Sequence, residues 1–144
     1  MIDKCIKLYN KYEEVIIYLI MGVLATIVNL GVKYALLFTV LSASNPIELQ
    51  IAIIISWIAA VLFAYFTNRK WVFKSKSKNI LKEFSSFVVA RITTLVMEMF
   101  IMWFFVTLLK MDSNTWVIIW TIVSQAIVII ANYFFSKLFI FKKQ

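Results

Sequence analysis

Histidine is absent from the 144-residue chain, cysteine occurs once, proline once and glycine twice, and only seven residues are acidic. The lack of histidine excludes His-based catalysis and imidazole metal sites. Cys5 has no partner for an internal disulfide. Beside a first helix it is either a palmitoylation candidate or a plain interfacial residue. Two glycines do not make a phosphate-cradling loop, and there is no DxD-like acidic pair. The acids other than Glu98 fall at the ends of apolar runs. The chain is therefore expected to be neither an enzyme nor a metal or cofactor protein.

What is present is apolar. Hydrophobic residues make up 63% of the chain and the mean hydropathy is +0.92. A soluble domain of this size cannot hide so much apolar surface, so the natural solvent is a bilayer. A spanning helix needs about 20 mainly apolar residues. Four runs qualify: Val15–Leu41, Ile47–Phe66, Phe84–Leu109 and Trp116–Phe135. The first is too long for a cleavable signal and lacks a small-x-small end, so it is expected to remain as a membrane helix. SASNP (Ser42–Pro46) predicts a turn with Pro46 at a helix start, and Asp112, Ser113 or Asn114 is placed to cap the fourth helix. Residues 1–14 carry Ile2, Cys5, Ile6, Tyr9 and Tyr12 near helical spacing, as a short amphipathic helix on the inner leaflet would; a frayed basic tail is the alternative.

Charge sets the orientation. Twelve of the fifteen basic residues fall in the N-terminal tail, the loop after the second run and the C-terminal end. The opposite loops hold Lys110, offset by Glu48 and Asp112. The positive-inside rule then puts both termini in the cytoplasm. The net charge of +8 is topological: its expected partners are anionic lipids, not nucleic acid.

The chain also repeats itself at a shift of 68 residues. YFTNRKWVFK (Tyr65–Lys74) has a weaker copy, YFFSKLFIFK (Tyr133–Lys142), and Thr26, Thr39 and Ser56 meet Thr94, Thr107 and Ser124. Each repeat holds two helices. The expected fold is thus an all-α membrane protein, one domain of four transmembrane helices in two parallel-repeat hairpins, multi-pass with cytoplasmic termini.

Three ionisable residues lie within the apolar runs, and each is a functional hypothesis by default. Arg91 is seven residues into the third run, about 10 Å from its inner end. With Thr94 and Glu98 it forms a stripe at i, i+3 and i+7, which must face protein or a water-filled crevice. Lys33 lies in the first run at a depth similar to Glu98. Gln125 and Asn132, seven apart, make one face of the fourth helix polar, and Asn29 precedes Lys33 by one turn. One reading is purely architectural: a Lys33–Glu98 ion pair and interhelical hydrogen bonds that fix packing. The other is a site for a phosphate headgroup, because guanidinium binds phosphate through paired donors.

At the end of the second run, Tyr65, Phe66, Trp71 and Phe73 suit an aromatic belt, and Arg69 and Lys70 reach lipid phosphates. Asn68 fits less simply, since its amide needs partners near hydrocarbon. It either caps the helix or faces a polar ligand. Ala64, Asn68, Val72 and Phe73 stand at the spacing Ala-x3-Asn-x3-Val-Phe. In this motif, in length, in the basic middle loop, in Arg91 and in Asn132, the chain resembles the GtrA-like family of small four-helix membrane proteins. The second copy departs from the motif, with Asn132 and Ser136 in place of Ala64 and Asn68.

The resemblance implies translocation of a polyprenyl-phosphate-linked sugar across the cytoplasmic membrane, for glycosylation of a cell-surface polysaccharide or teichoic acid. The expected substrate-binding residues are then Asn68, Arg69 and Lys70 at the cytoplasmic mouth, Arg91 on the phosphate, Asn132 and Gln125 on the sugar, and Lys33 and Glu98 further along. A homodimer or a complex with a membrane glycosyltransferase is the expected assembly. Two other functions are open: a small multidrug-type proton-coupled exporter working through Glu98, and a non-transporting adaptor for a glycosyltransferase, which the surface aromatics and the basic loop would suit.

Overall fold

The structure is a computed structural model that describes residues 2–141, with side chains from residue 6 onward. Lys142, Lys143 and the side chains of Ile2, Lys4 and Cys5 lie outside the described residues. The described chain is helical: α1 (Ile2–Thr39), α2 (Pro46–Thr67), α3 (Ile80–Met102) and α4 (Asn114–Phe135). All four are long and apolar enough to cross a membrane. They carry large apolar side chains outward along their length, Phe38, Ile47, Val89 and Phe100 among them. Lipid, unlike water, sets no penalty on such a surface.

The chain divides into two compact units, residues 1–75 and 76–144. Each is one hairpin, α1 on α2 and α3 on α4. The division falls in the basic loop between the two sequence repeats.

In the first unit α1 runs unbroken for 38 residues, about 57 Å, through the stretch read from sequence as a separate amphipathic segment. No glycine or proline occurs between Ile2 and Met21 to break it there. The turn into α2 is built as its residues suggest. Asn45 Oδ1 accepts from the amide of Ile47 at 3.0 Å, and Pro46 occupies the first turn. Glu48 reaches back to accept from Asn45 Nδ2 and the Ser42 amide, a reciprocal capping arrangement. Small residues, Ala52 and Ser56, are fully buried on α2, and Ser56 returns its hydroxyl to the carbonyl of Ile53. They let helix backbones approach closely.

The second unit repeats these devices with other residues. Asn79 Oδ1 accepts from Lys82 N at 3.2 Å and starts α3 at Ile80. Ser113 stands at the cap position of α4 without a side-chain bond. Ser124, the repeat partner of Ser56, is buried and donates to the carbonyl of Thr121.

Three wide turns with i+5→i hydrogen bonding close α2, α3 and α4, over Asn68–Val72, Trp103–Leu108 and Ser136–Ile140. The amide of Phe73 donates to Asn68 O at 2.9 Å, and that of Phe141 to Ser136 O at 2.8 Å. Each inserts one extra residue into the helical register. Phe73 is thereby buried 6.3 Å from the ring of Tyr18, and Phe141 is buried 6.1 Å from that of Phe87. The turns after α2 and α3 finish with a lysine in the left-handed region, Lys74 at φ 48° and Lys110 at φ 52°.

Candidate functional site

In the first unit the wide turn after α2 separates two kinds of side chain. Val72 and Phe73 go inward, while Lys70, Trp71 and Lys74 stay exposed. Arg69, Lys70, Lys74 and Ser75 then line one pocket of about 440 Å³, with Phe66 as its apolar wall. That volume is in the range of small-ligand sites. The backbone fixes the lining: Ser75 N donates to Arg69 O at 2.9 Å across the left-handed Lys74. Arg69 Nη1 also donates to the Tyr65 hydroxyl at 3.5 Å, and Lys70 lies over the Trp71 ring. The Lys74 ammonium is 3.9 Å from Glu13 in a solvent-exposed ion pair, a kind worth little in water. Asn68 roots the turn. Its side chain is buried, 2% exposed.

In the second unit the polar stripe of α3 meets that of α4. The Thr94 hydroxyl lies 3.0 Å from Asn132 Oδ1 and 3.1 Å from the Arg91 carbonyl. Both Thr94 and Asn132 are buried. Gln125 Nε2 donates to Glu98 Oε1 at 2.5 Å. Arg91 is half-buried, its guanidinium 4.8 Å from the centre of the Phe87 ring. It has no acidic partner among the described residues. Since α3 begins at Ile80, Arg91 stands about 16 Å along the helix, deeper than counting from Phe84 gives. A guanidinium resting on a ring keeps its N–H fork for an anion.

The eight residues singled out from sequence thus fall into two sets. Lys33, Asn68, Arg69 and Lys70 belong to the first unit, and Arg91, Glu98, Gln125 and Asn132 to the second. Asn68, Arg69 and Lys70 share one turn, and the two pairs Thr94–Asn132 and Glu98–Gln125 are hydrogen-bonded. Lys33 stands apart from the pocket, over the neighbouring Tyr34 ring. Ala64, Val72 and Phe73 are buried, as packing positions of the motif would be.

Sequence reasoning missed Lys74, Ser75 and Phe66 as pocket residues. Lys74 follows Lys70 by four, a helical neighbour spacing that signals a shared face. It also missed Phe87 beneath Arg91, at the same i, i+4 spacing, and the stacked pair Phe105–Trp120, whose ring centroids are 3.5 Å apart. Trp120 Nε1 is buried with no hydrogen-bond partner among the described residues. A shielded donor left unpaired costs about 1–3 kcal/mol, so its retention asks for a reason.

Residues 17–141 match the family described as GtrA/DPMS, transmembrane domain. The chain belongs to this family. It is a multi-pass membrane protein. Among its relatives, the cell wall teichoic acid glycosylation protein GtcA of Listeria monocytogenes is 38% identical over 138 residues, covering 94% of this chain and 89% of the relative. GtcA of Listeria innocua serovar 6a is 37% identical, covering 99% and 94%. The membrane protein YwcD of Bacillus subtilis strain 168 is 33% identical, covering 88% and 94%. No solved structure matches the chain. The family match spans α2 with its wide turn and the whole of α3 and α4, so both candidate polar regions lie inside the family domain.

Proposed function

We propose that this protein carries a polyprenyl-phosphate-linked sugar across the cytoplasmic membrane, from inner to outer leaflet, to supply glycosylation of teichoic acid or a similar cell-surface polymer. The observation that carries the reading is Arg91, a half-buried guanidinium within a membrane helix that no acid neutralises among the described residues. Such a group is costly in hydrocarbon unless an anion or water meets it. A lipid phosphate is the anion a bilayer provides. The teichoic acid glycosylation named for the Listeria relatives supports the sugar half of the cargo.

In this reading the pocket of Arg69, Lys70 and Lys74 receives the phosphate at the cytoplasmic end, with the Asn68 amide beside it. Arg91 holds the phosphate inside the membrane. Gln125 and Asn132 exchange their partners, Glu98 and Thr94, for sugar hydroxyls, and Lys33 and Glu98 are further contacts, each within its own unit. Replacing lost hydration with fixed donors and acceptors lowers the cost of moving a polar headgroup through lipid. The protein moves the lipid and makes no bond in it; a membrane glycosyltransferase supplies or consumes the cargo, and a second copy completes the wall around the path.

The test is made in cells. A strain lacking the gene is complemented with the wild-type chain or with Arg91→Ala, and sugar on the isolated wall polymer is measured. The wild type is expected to restore the sugar and Arg91→Ala to leave it at the deletion level, at equal protein abundance. Full restoration by Arg91→Ala contradicts the reading.

A further inference from the structure

The repeat supplies an internal control for the second hairpin. Shifting by 68 residues pairs Arg91 with Val23, Glu98 with Leu30 and Phe105 with Leu37 on the first helices. On the second helices it pairs Trp120 with Ala52, Gln125 with Trp57 and Asn132 with Ala64. The first unit builds the same hairpin, with the same wide turn and the same buried serine, from residues without charge or amide at these places. The charged and amide groups of the second unit are therefore not what the hairpin architecture requires.

These departures are not scattered. Arg91 and Glu98 stand seven residues apart on one face of α3, and Phe105, seven further along the chain, lies in the wide turn that closes it. Their neighbours on α4 are fixed by contact: Glu98 meets Gln125 and Phe105 stacks on Trp120, at 12° between the rings. One turn beyond Arg91, Thr94 meets Asn132. The seam between α3 and α4 thus presents, in order, a guanidinium, a hydroxyl–amide pair, a carboxylate–amide pair and an aromatic stack with an unpaired indole N–H. From Arg91 to Phe105 it extends about 21 Å, most of a bilayer core.

We infer that Phe105 and Trp120 form a second saccharide station, at the loop end of the α3–α4 seam. Its ligand is the pyranose ring of a lipid-linked sugar. The two rings cover each other's facing sides in the free protein, so it is the outer face of the pair that suits the C–H face of a pyranose. The Trp120 N–H, shielded until then, donates to a ring hydroxyl once the sugar displaces its cover. This rests on the proposed translocation and adds that the seam of one hairpin, not the first, carries the sugar to the far side. An aromatic belt residue alone would turn its N–H to headgroups; Trp120 Nε1 is instead shielded and unpartnered.

The experiment uses the full chain in lipid nanodiscs with indole-¹⁵N tryptophan, the Trp120 resonance being assigned by its loss in Trp120→Phe. Polyprenyl-phosphate hexoses (glucose, galactose and N-acetylglucosamine) and bare polyprenyl phosphate are titrated in parallel. The Trp120 N–H is expected to shift with at least one hexose lipid and not with the bare phosphate. In proteoliposomes Trp120→Phe, which keeps a ring and removes the donor, is expected to lower transfer roughly tenfold, the effect of one well-made hydrogen bond. Trp120→Ala and Phe105→Leu, the residues the first hairpin uses, are expected to fold and to lower it further. If the wild type transfers sugar lipid but Trp120→Phe transfers it equally and no hexose moves the resonance, the station is wrong and translocation stands. If the wild type transfers nothing, the proposed function fails and the station with it.

Discussion

Gln125 on α4 donates to the carboxylate of Glu98 on α3, a polar tie in the middle of two helices that are otherwise mostly apolar. The first hairpin has Leu30 and Trp57 at the corresponding places. Breaking the tie on one side leaves an amide without a partner in hydrocarbon. Glu98→Leu is expected to destabilise the protein by about 1 kcal/mol, the usual scale of such bonds in membranes. Adding Gln125→Trp is expected to recover most of that, since the apolar pair that stands at these places in the first hairpin replaces both groups. Thermal unfolding in detergent of the two single variants and the double gives the coupling. Transfer of sugar lipid is expected to stay low in all three.

Arg91 separates charge from geometry. Lysine keeps the positive charge but presents no planar fork to a phosphate and stacks less well on Phe87. Arg91→Lys is expected to retain about a tenth of the wild-type transfer rate and Arg91→Ala about a hundredth or less, on the scale of one and two charge-assisted hydrogen bonds. Rates in proteoliposomes at matched protein content decide it. Equal rates for the lysine and alanine variants remove the argument for paired donors.

The two left-handed lysines give the same prediction for stability and different ones for function. A non-glycine residue in this region costs roughly 1–2 kcal/mol. Lys110→Gly is expected to raise stability by about 1 kcal/mol and to leave transfer unchanged, because Lys110 is not among the residues that line the pocket. Lys74→Gly is expected to give a similar gain in stability while weakening the pocket by one cation. Melting temperature measured beside transfer rate separates the two effects.

The pocket itself is read through salt. Each lysine or arginine near an anionic surface contributes about 1 kcal/mol, screened beyond a Debye length. Lys70→Leu, which copies Leu138 of the second repeat, is expected to weaken binding of anionic polyprenyl phosphate about fivefold at low salt and less at high salt. Flotation with vesicles at two ionic strengths tests this. A salt-independent loss assigns Lys70 to packing against Trp71 instead.

Much of this was legible in the chain. Length and hydropathy dictate four membrane helices, and Asn45 with Pro46 marks the start of α2 as the structure has it. The repeat at 68 residues was readable because its helix ends carry aromatic and basic residues, which match by chance less often than apolar ones. The polar stripe on α3 and the polar face of α4 follow from spacing alone, and Thr94–Asn132 and Glu98–Gln125 realise them. The wide turns were not legible. A shift from i+4 to i+5 bonding has no residue signature of its own; it is set by Phe73 and Phe141 finding Tyr18 and Phe87 to pack upon. The pocket depends on that turn, which is why Lys74 and Ser75 escaped notice. Nor does spacing reveal that Trp120 lacks an acceptor, since an unpaired donor is visible only once its surroundings are built.

The most direct measurement reconstitutes the purified chain in liposomes with a fluorescent polyprenyl-phosphate hexose and follows quenching by membrane-impermeant dithionite. Without transport, only the outer half of the label is reached. With the wild-type chain the protected half is expected to become accessible within minutes, and with Arg91→Ala to remain protected. Protection that persists in wild-type vesicles, with folded protein and with its glycosyltransferase co-reconstituted, contradicts the account.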